Sequence, residues 1–372
     1  MSMVVIVLVI GAFVLAWSNG ANDNFKGVAT LYGSGTASFR TALVWATGTT
    51  LAGSLASVLL AGALVATFSG KGLIAADAVG PGLLAAVGAA AAVTILLATW
   101  LGMPTSTTHA LTGALVGAAL VAAPAGINWH QLGVGFAQPL LLSPLLAIGL
   151  TSGIYPLLSH ARRRAGLEAQ TCLCIGREAP QPVTLTAAGT AVLTTASGPV
   201  SIRLGEQDQC VQRYTGQLVG VQAQPLVDVM HYLSGGAVCF ARAVNDTPKI
   251  AALLLAGGVG GQMGVLGLIA LAMAAGGLLQ AWKVAETMSR RITELNPGQG
   301  LTANLMTASL VLGASSFGVP VSTTHVACGS IFGMGLVNGH RDWSTIARIL
   351  TTWLSTLPLG LVLGALFYWL LR

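Results

Sequence analysis

The sequence predicts an all-α polytopic membrane protein made of two related halves, with a small β-rich soluble insert between them. Three observations carry that prediction. Charged residues make up only 8% of the 372 and hydrophobic types 54%, against about 25% charged in ordinary soluble domains. Long apolar stretches recur along the whole chain. Two polar motifs each occur twice, in the same order.

The apolar stretches are Met3–Trp17, Thr41–Phe68, Val79–Leu101, Leu140–Leu158, Ile250–Trp282 and Thr345–Leu371. Several exceed the roughly 20 residues a helix needs to cross a bilayer. With no water in lipid to satisfy backbone groups, such spans are expected to be helical. Gly accounts for 48 residues, well above the roughly 7% of average usage. In membrane helices this permits close backbone approach, and breaks where backbone lines a cavity. The net charge of +6 does not point to nucleic acid, because the basic residues are few and lie mostly in loops. Arg162, Arg163 and Arg164 follow one span, and Arg290 and Arg291 lie in another hydrophilic gap. Such flanks stay cytoplasmic as a rule, which places the insert in the cytoplasm of a cell-membrane protein. No basic region precedes the first apolar run, so a cleaved signal peptide is not expected.

The repetition is detailed. Pro104-Thr105-Ser106-Thr107-Thr108-His109 recurs as Pro320-Val321-Ser322-Thr323-Thr324-His325, with Gly113 and Gly117 matched by Gly329 and Gly333. Upstream, Asn22-Asp23-x-x-Lys26 matches Asn245-Asp246-x-x-Lys249. Similar lengths of apolar chain separate the motifs, so an internal duplication is expected. Residues 1–160 form the first membrane repeat, 161–224 the insert and 225–372 the second repeat. In the insert, alternation in Val183–Thr186 and Val200–Leu204 suggests short strands. Cys172, Cys174 and the distant Cys210 make an incomplete metal set and read as reduced cysteines. Glu286 to Gly300 reads as an ordinary loop, as do the surroundings of Lys71, Asp77 and Asp342.

The Ser-Thr-Thr motifs have an anion-binding logic. A Pro followed by small hydroxyl residues opens a helix inside apolar sequence, with Ser or Thr as the cap. Such a start exposes free N–H groups and the positive end of the helix dipole. The hydroxyls of Ser106, Thr107 and Thr108, and of Ser322, Thr323 and Thr324, add donors around a tetrahedral oxyanion. Two broken helices meeting at a repeat interface form a transporter-type site. Ser and Thr that merely bond within packed helices are the plainer reading, and duplication of the whole hexapeptide argues against it. His109 and His325 are expected to orient the tips rather than to touch substrate.

A carboxylate within a span costs about 2.5–3.5 kcal/mol even on the lenient insertion scale, so Asp23 and Asp246 are expected to face a cavity or a partner. Their oxygens, with those of Asn22 and Asn245, suit a hard cation such as Na⁺, and each Asp is also a proton carrier. The alternative is an Asp capping a helix at the membrane boundary, for which Gly20-Ala21-Asn22-Asp23 would also pass. Lys26 and Lys249, three residues on, share a helix face with the aspartates and either pair with them or supply charge to the anion. Snorkelling lysines at an interface are the other option; symmetric placement disfavours it. Asn19 and Arg242 precede the aspartates by four residues, so that position is not symmetric in charge.

Together, Gly20-Ala21-Asn22-Asp23, Asn245-Asp246 and the two Ser-Thr-Thr-His motifs resemble the inorganic phosphate transporter family of the Pit type, which includes sulfate permeases. The resemblance covers the chain outside the insert. It implies two inverted repeats and re-entrant helical hairpins tipped by Ser-Thr-Thr. It also implies phosphate held near the midplane, with symport of Na⁺ or H⁺. Thr105 through Thr108 and Ser322 through Thr324 would contact phosphate with Asn22, Asn245, Lys26 and Lys249. Asp23 and Asp246 would serve the coupling ion, with Gly20, Ala21, His109 and His325 in support. Where the family usually reads Asn-Asp-x-Ala-Asn, this chain has Phe25-Lys26 and Pro248-Lys249. The ammonium groups are therefore expected to stand in for bound Na⁺, leaving proton coupling or none.

Sulfate is the nearest alternative substrate. Phosphate retains protons at neutral pH to give an Asp, sulfate does not, and that favours phosphate. An intramembrane enzyme using Asp23, His109, Asp246 and His325 is a further alternative, but catalysis rarely needs each group twice. A channel is less suited to paired broken helices around a closed site. No Gly-x4-Gly-Lys-Ser/Thr loop is present, so ATP-driven pumping is not expected. No cofactor is implied, the lipid bilayer is the expected surroundings, and homo-oligomerisation is left open.

Overall fold

The computed structural model describes residues 2–168, 171–177, 200–206 and 219–372. The chain divides into two units, residues 1–155 with 231–372, and residues 156–230. In chain order the elements begin with α1 (Met3–Asp23), α2 (Ala29–Gly33), α3 (Phe39–Leu60) and α4 (Gly62–Phe68). A first hairpin follows, α5 (Pro81–Trp100) and α6 (Thr107–Ala122), then α7 (Trp129–Leu132) and α8 (Gln138–Arg164). After strands β1 (Thr171–Arg177), β2 (Val200–Glu206) and β3 (Val219–Gln222) come α9 (Ala223–Ala256), α10 (Gln262–Gln280) and α11 (Trp282–Glu286). The chain ends with a second hairpin, α12 (Pro297–Ser316) and α13 (Thr323–Asn338), and with α14 (Trp343–Leu371).

Among the described residues, 6 helices are long and apolar enough to cross a membrane: Met3–Asp23, Phe39–Leu60, Pro81–Trp100, Trp129–Arg164, Gln262–Gln280 and Trp343–Leu371. Leu59, Leu141, Leu268 and Leu354 point outward from them and are exposed. Two expected stretches prove to be broken. Ile250–Trp282 is not one span: α9 stops at Ala256 and α10 starts at Gln262, because Gly258 and Gly260 take positive φ of 72° and 76° between them. Thr41–Phe68 breaks at Ala61 into α3 and α4. Conversely, α9 runs for 34 residues without forming one apolar run, since Arg242, Asp246 and Lys249 lie within it. The expected loop from Glu286 to Gly300 is largely helical. A π-helical turn covers Thr287–Arg291, and Asn296 and Gln299 form a reciprocal cap that starts α12.

The duplication reaches the lengths of the elements. Each hairpin has a first helix of 20 residues opening on a Pro (Pro81, Pro297) and a second of 16. Pro fits the first helical turn because its missing N–H has no partner there. The repeats are interleaved in packing. Gly113 and Gly117 of α6 lie against backbone of α14 at Leu357 and Leu361, while Gly329 and Gly333 of α13 lie against α8 at Pro144 and Ile148. Each hairpin thus rests on the last helix of the other repeat. Similarly, α1 crosses α10 so closely that a Cβ on Gly20 would overlap the Met273 carbonyl, and one on Gly276 the Trp17 carbonyl. Gly20 therefore serves the structure by allowing this approach, and Ala21 beside it is wholly buried. Leu8, Leu15, Leu84, Ile95, Leu111, Leu115, Ile250, Leu253 and Ile269 build the main apolar core around these crossings.

The second unit holds an antiparallel sheet in the order β2-β1-β3, with Thr171 opposite Glu206 and Cys172 opposite Gln222. Val200–Leu204 falls in β2; Val183–Thr186 lies outside the described residues. Cys172 is a free thiol, whereas Cys174, two residues on and buried on the same face, is disulfide-bonded. That departs from the reading of uniformly reduced cysteines. Among the described residues no cluster of His, Cys, Asp and Glu is arranged to hold a metal.

Candidate functional site

The two hairpin tips meet at the ends of the Asn-Asp motifs, and the whole assembly is buried. Ser106 caps α6 by accepting the His109 N–H at 3.1 Å, and Ser322 caps α13 by accepting that of His325 at 3.2 Å. Each hydroxyl serves its cap through the oxygen and keeps its own O–H proton to donate. Pro104 and Pro320 lie just before the caps in the extended connectors rather than in the first helical turn. Next to the caps, the N–H groups of Thr107, Thr108, Thr323 and Thr324 belong to first turns, where no intrahelical acceptor exists.

The connectors are held by the two asparagines. Asn22 accepts the Thr105 N–H at 3.0 Å and donates to Thr99 Oγ1 and the Met103 carbonyl at 2.9 and 3.1 Å. Asn245 accepts from Ser315 Oγ at 3.1 Å and donates to the Val321 carbonyl at 3.2 Å and Asp246 Oδ1 at 2.9 Å. Thr99 and Ser315 occupy matching places on α5 and α12. The asparagines thus fix the shape of the tips. The Thr105 side chain bonds Thr356 on α14 at 2.7 Å, so only its backbone faces the cluster.

The lysines are the centre of the arrangement. Lys26 Nζ meets the Asp23 carboxylate, the Thr105 carbonyl at 2.9 Å and the Thr324 hydroxyl. Lys249 Nζ meets the Asp246 carboxylate at 3.5 Å, the Val321 carbonyl at 2.9 Å and the Thr108 hydroxyl at 2.7 Å. Each ammonium therefore has a carboxylate and a connector carbonyl from its own repeat and a threonine hydroxyl from the other. The local backbones differ. Asp246 and Lys249 lie on continuous helix, although Pro248 removes one N–H from the ladder. Asp23 is the last residue of α1, and Lys26 sits in the turn that follows. The expectation of a shared helix face holds for the second pair only. A carboxylate at a helix C-terminus is opposed by the dipole, and the Lys26 ammonium offsets that. Asp23 therefore does not cap a helix N-terminus.

Thr107 and Thr323 donate to Asp23 Oδ2 and Asp246 Oδ2, each at 3.4 Å. Asn19 joins both halves: its Nδ2 lies 3.1 Å from Asp23 Oδ2, 2.8 Å from Thr107 Oγ1 and 3.3 Å from Asp246 Oδ2. Arg242 donates to Asn19 Oδ1 and Thr50 Oγ1 at 2.9 Å each. Neither Asn19 nor Arg242 was among the expected site residues. The available signal was their position, one helical turn before each aspartate and therefore on its face. His109 and His325 lie together, ring centroids 4.5 Å apart, and His325 stacks on Trp353 at 3.9 Å. They join the two hairpins one turn inside the tips.

Chemically, the cluster offers hydroxyls, an amide, two helix starts and cationic groups to an anion. The model of the phosphate transporter family matches residues 19–364. Inorganic phosphate transporter 2-1, chloroplastic, of Arabidopsis thaliana is 28% identical over 96% of this chain and 70% of its own length. A Mycobacterium leprae protein named "Probable low-affinity inorganic phosphate transporter" is 29% identical, over 99% of this chain and 78% of its own. A solved structure described as "The sodium-dependent phosphate transporter" has the same fold, with a TM-score of 0.75, 21% identity and coverage of 100% of this chain and 99% of that one. The match spans nearly the whole chain, both duplicated motifs included, and the chain belongs to the phosphate transporter family.

Proposed function

We propose that this chain is a secondary transporter that carries inorganic phosphate across the cell membrane, holding it between the two hairpin tips and the Asn-Asp motifs. The observation that carries the reading is the convergence of two capped helix starts, one from each repeat, on a buried cluster containing three cationic side chains. Helix N-termini and threonine hydroxyls supply donors for an oxyanion, and the two-fold arrangement suits alternating access. The family name and the names of the relatives support phosphate as the anion. The insert, flanked by Arg162–Arg164, is assigned to the cytoplasmic side.

The coupling reading follows from the lysines. Carboxylate, carbonyl and hydroxyl oxygens are the ligands a hard cation takes, and here an ammonium already occupies each such set. Sodium is then not required, and protons carried by phosphate or the aspartates are the coupling ion, if any is used. The test is uptake of radiolabelled phosphate into proteoliposomes, competed with sulfate, with and without Na⁺ and a pH gradient. Saturable phosphate uptake that is indifferent to Na⁺ is expected. Strong sulfate uptake without phosphate uptake would move the chain to the alternative substrate.

A further inference from the structure

Five side chains bearing formal charge are buried among the described residues: Asp23, Lys26, Arg242, Asp246 and Lys249. Three are cations and two are carboxylates, an excess of one positive charge. Each lysine has its own aspartate within ion-pair distance, and both pairs sit in the middle of the oxygen sets described above. Arg242 has no carboxylate within ion-pair distance among the described residues. Its side chain is 1% exposed and is the largest of the fully buried ones.

A guanidinium carries five N–H donors and cannot shed its proton in a protein. Here Nη1 goes to Asn19 and Nη2 to Thr50, both neutral acceptors, and Nε finds no acceptor among the described residues. A buried charge in this condition is strongly unfavourable unless something compensates it. The location says what that is. Asn19, its first partner, also touches Thr107 and both carboxylates, so the guanidinium stands one residue from the meeting point of the helix starts. Asn19 and Arg242 occupy the same place in the two repeats. The substitution breaks the two-fold symmetry that nearly every other polar residue of the cluster obeys, as a single anion held to one side of the axis requires.

We infer that Arg242 is a substrate-binding residue, the cation against which the transported oxyanion is held, and that the anion supplies the missing negative charge. This rests on the phosphate reading above. The planar fork of guanidinium donors matches two oxygens of a phosphate, which a lysine ammonium cannot do. The lysines are the structural cations of the site and Arg242 is the functional one.

The experiment uses full-length protein in lipid nanodiscs, as wild type, R242K and R242Q, with inorganic phosphate as the probe. Equilibrium binding of radiolabelled phosphate is expected to weaken at least tenfold in R242Q, and less in R242K, which keeps the charge and loses the fork. Without phosphate, R242Q is expected to melt no lower than wild type, because it removes a buried charge that has no ion-pair partner among the described residues. It should lose the upward melting shift that phosphate gives wild type. A purely structural role would do the reverse, lowering the melting point of the empty protein while phosphate still binds. Wild-type affinity in R242Q overturns the assignment of Arg242 alone. No phosphate binding by the wild type overturns the substrate reading and this inference with it. Should R242Q fail to fold, wild type labelled with ¹⁵N-arginine decides: dephasing of an arginine side chain by bound ³¹P supports the contact, and its absence overturns it.

Discussion

Replacing Lys26 by Asn tests the idea that an ammonium occupies a cation place. The substitution removes the counter-charge of Asp23 and leaves its carboxylate, the Thr105 carbonyl and the Thr324 hydroxyl around a gap. Lys26 and Asp23 are 2% and 1% exposed, so solvent screens little of the loss. Removing one member of a buried ion pair costs about 3–5 kcal/mol. A cation that binds the vacated oxygens returns stability as its concentration rises above its Kd, about 2.7 kcal/mol at a hundredfold excess. Most of the loss in K26N should therefore be recovered by Na⁺ and not by choline at equal ionic strength. The assay is thermal melting of detergent-solubilised protein in the two salts, followed by uptake at fixed pH and membrane potential. Wild type is expected to melt alike in both, and K26N to melt lower in choline and recover in Na⁺. Wild-type uptake that climbs steeply with Na⁺ would show that the ammonium does not stand in for a cation, as would a K26N protein indifferent to Na⁺.

Other consequences follow from the same geometry. D23N and D246N should each abolish phosphate uptake while leaving membrane insertion intact; normal transport in either would remove the carboxylates from the mechanism. S106A and S322A should each cost about 0.5–2 kcal/mol through loss of a helix cap, visible as earlier melting, with little change if the caps are dispensable. Outside the membrane, the Thr345 hydroxyl at 2.7 Å and the N–H groups of Thr345 and Ser344 hold the Asp342 carboxyl below its ordinary value of 3.8. A depressed value means that the cap is fully effective above the ordinary carboxylate range and is lost as pH falls through the lowered one. Fluorescence of the adjacent Trp343 should therefore report an acid transition that D342N removes.

Local chemistry was the legible part of this sequence. Ser is a favoured N-cap through its own hydroxyl, so Ser106 and Ser322 could be read as helix starts without knowing what lay around them. Apolar length gave most spans for the same reason. It failed at Ile250–Trp282, where Gly258 and Gly260 turn the chain without interrupting its hydropathy. It also failed across α9, where Arg242, Asp246 and Lys249 interrupt the hydropathy of one long helix: Asp246 and Lys249 pair with each other on it, and the remaining partners come from other elements. Lys26 looked like the helical partner of Asp23, yet α1 ends between them and the pairing survives in a turn. Arg242 illustrates the limit of reading by motif. Its importance comes from Asn19, 223 residues away, and from what it lacks, and neither is written in its neighbours.

If both repeats hold one anion together, the stoichiometry of equilibrium phosphate binding must show it. One phosphate should bind per chain, weakened to a similar degree by T107V in the first tip and by T323V in the second. Two phosphates per chain, or binding that only one of the two substitutions affects, would contradict it.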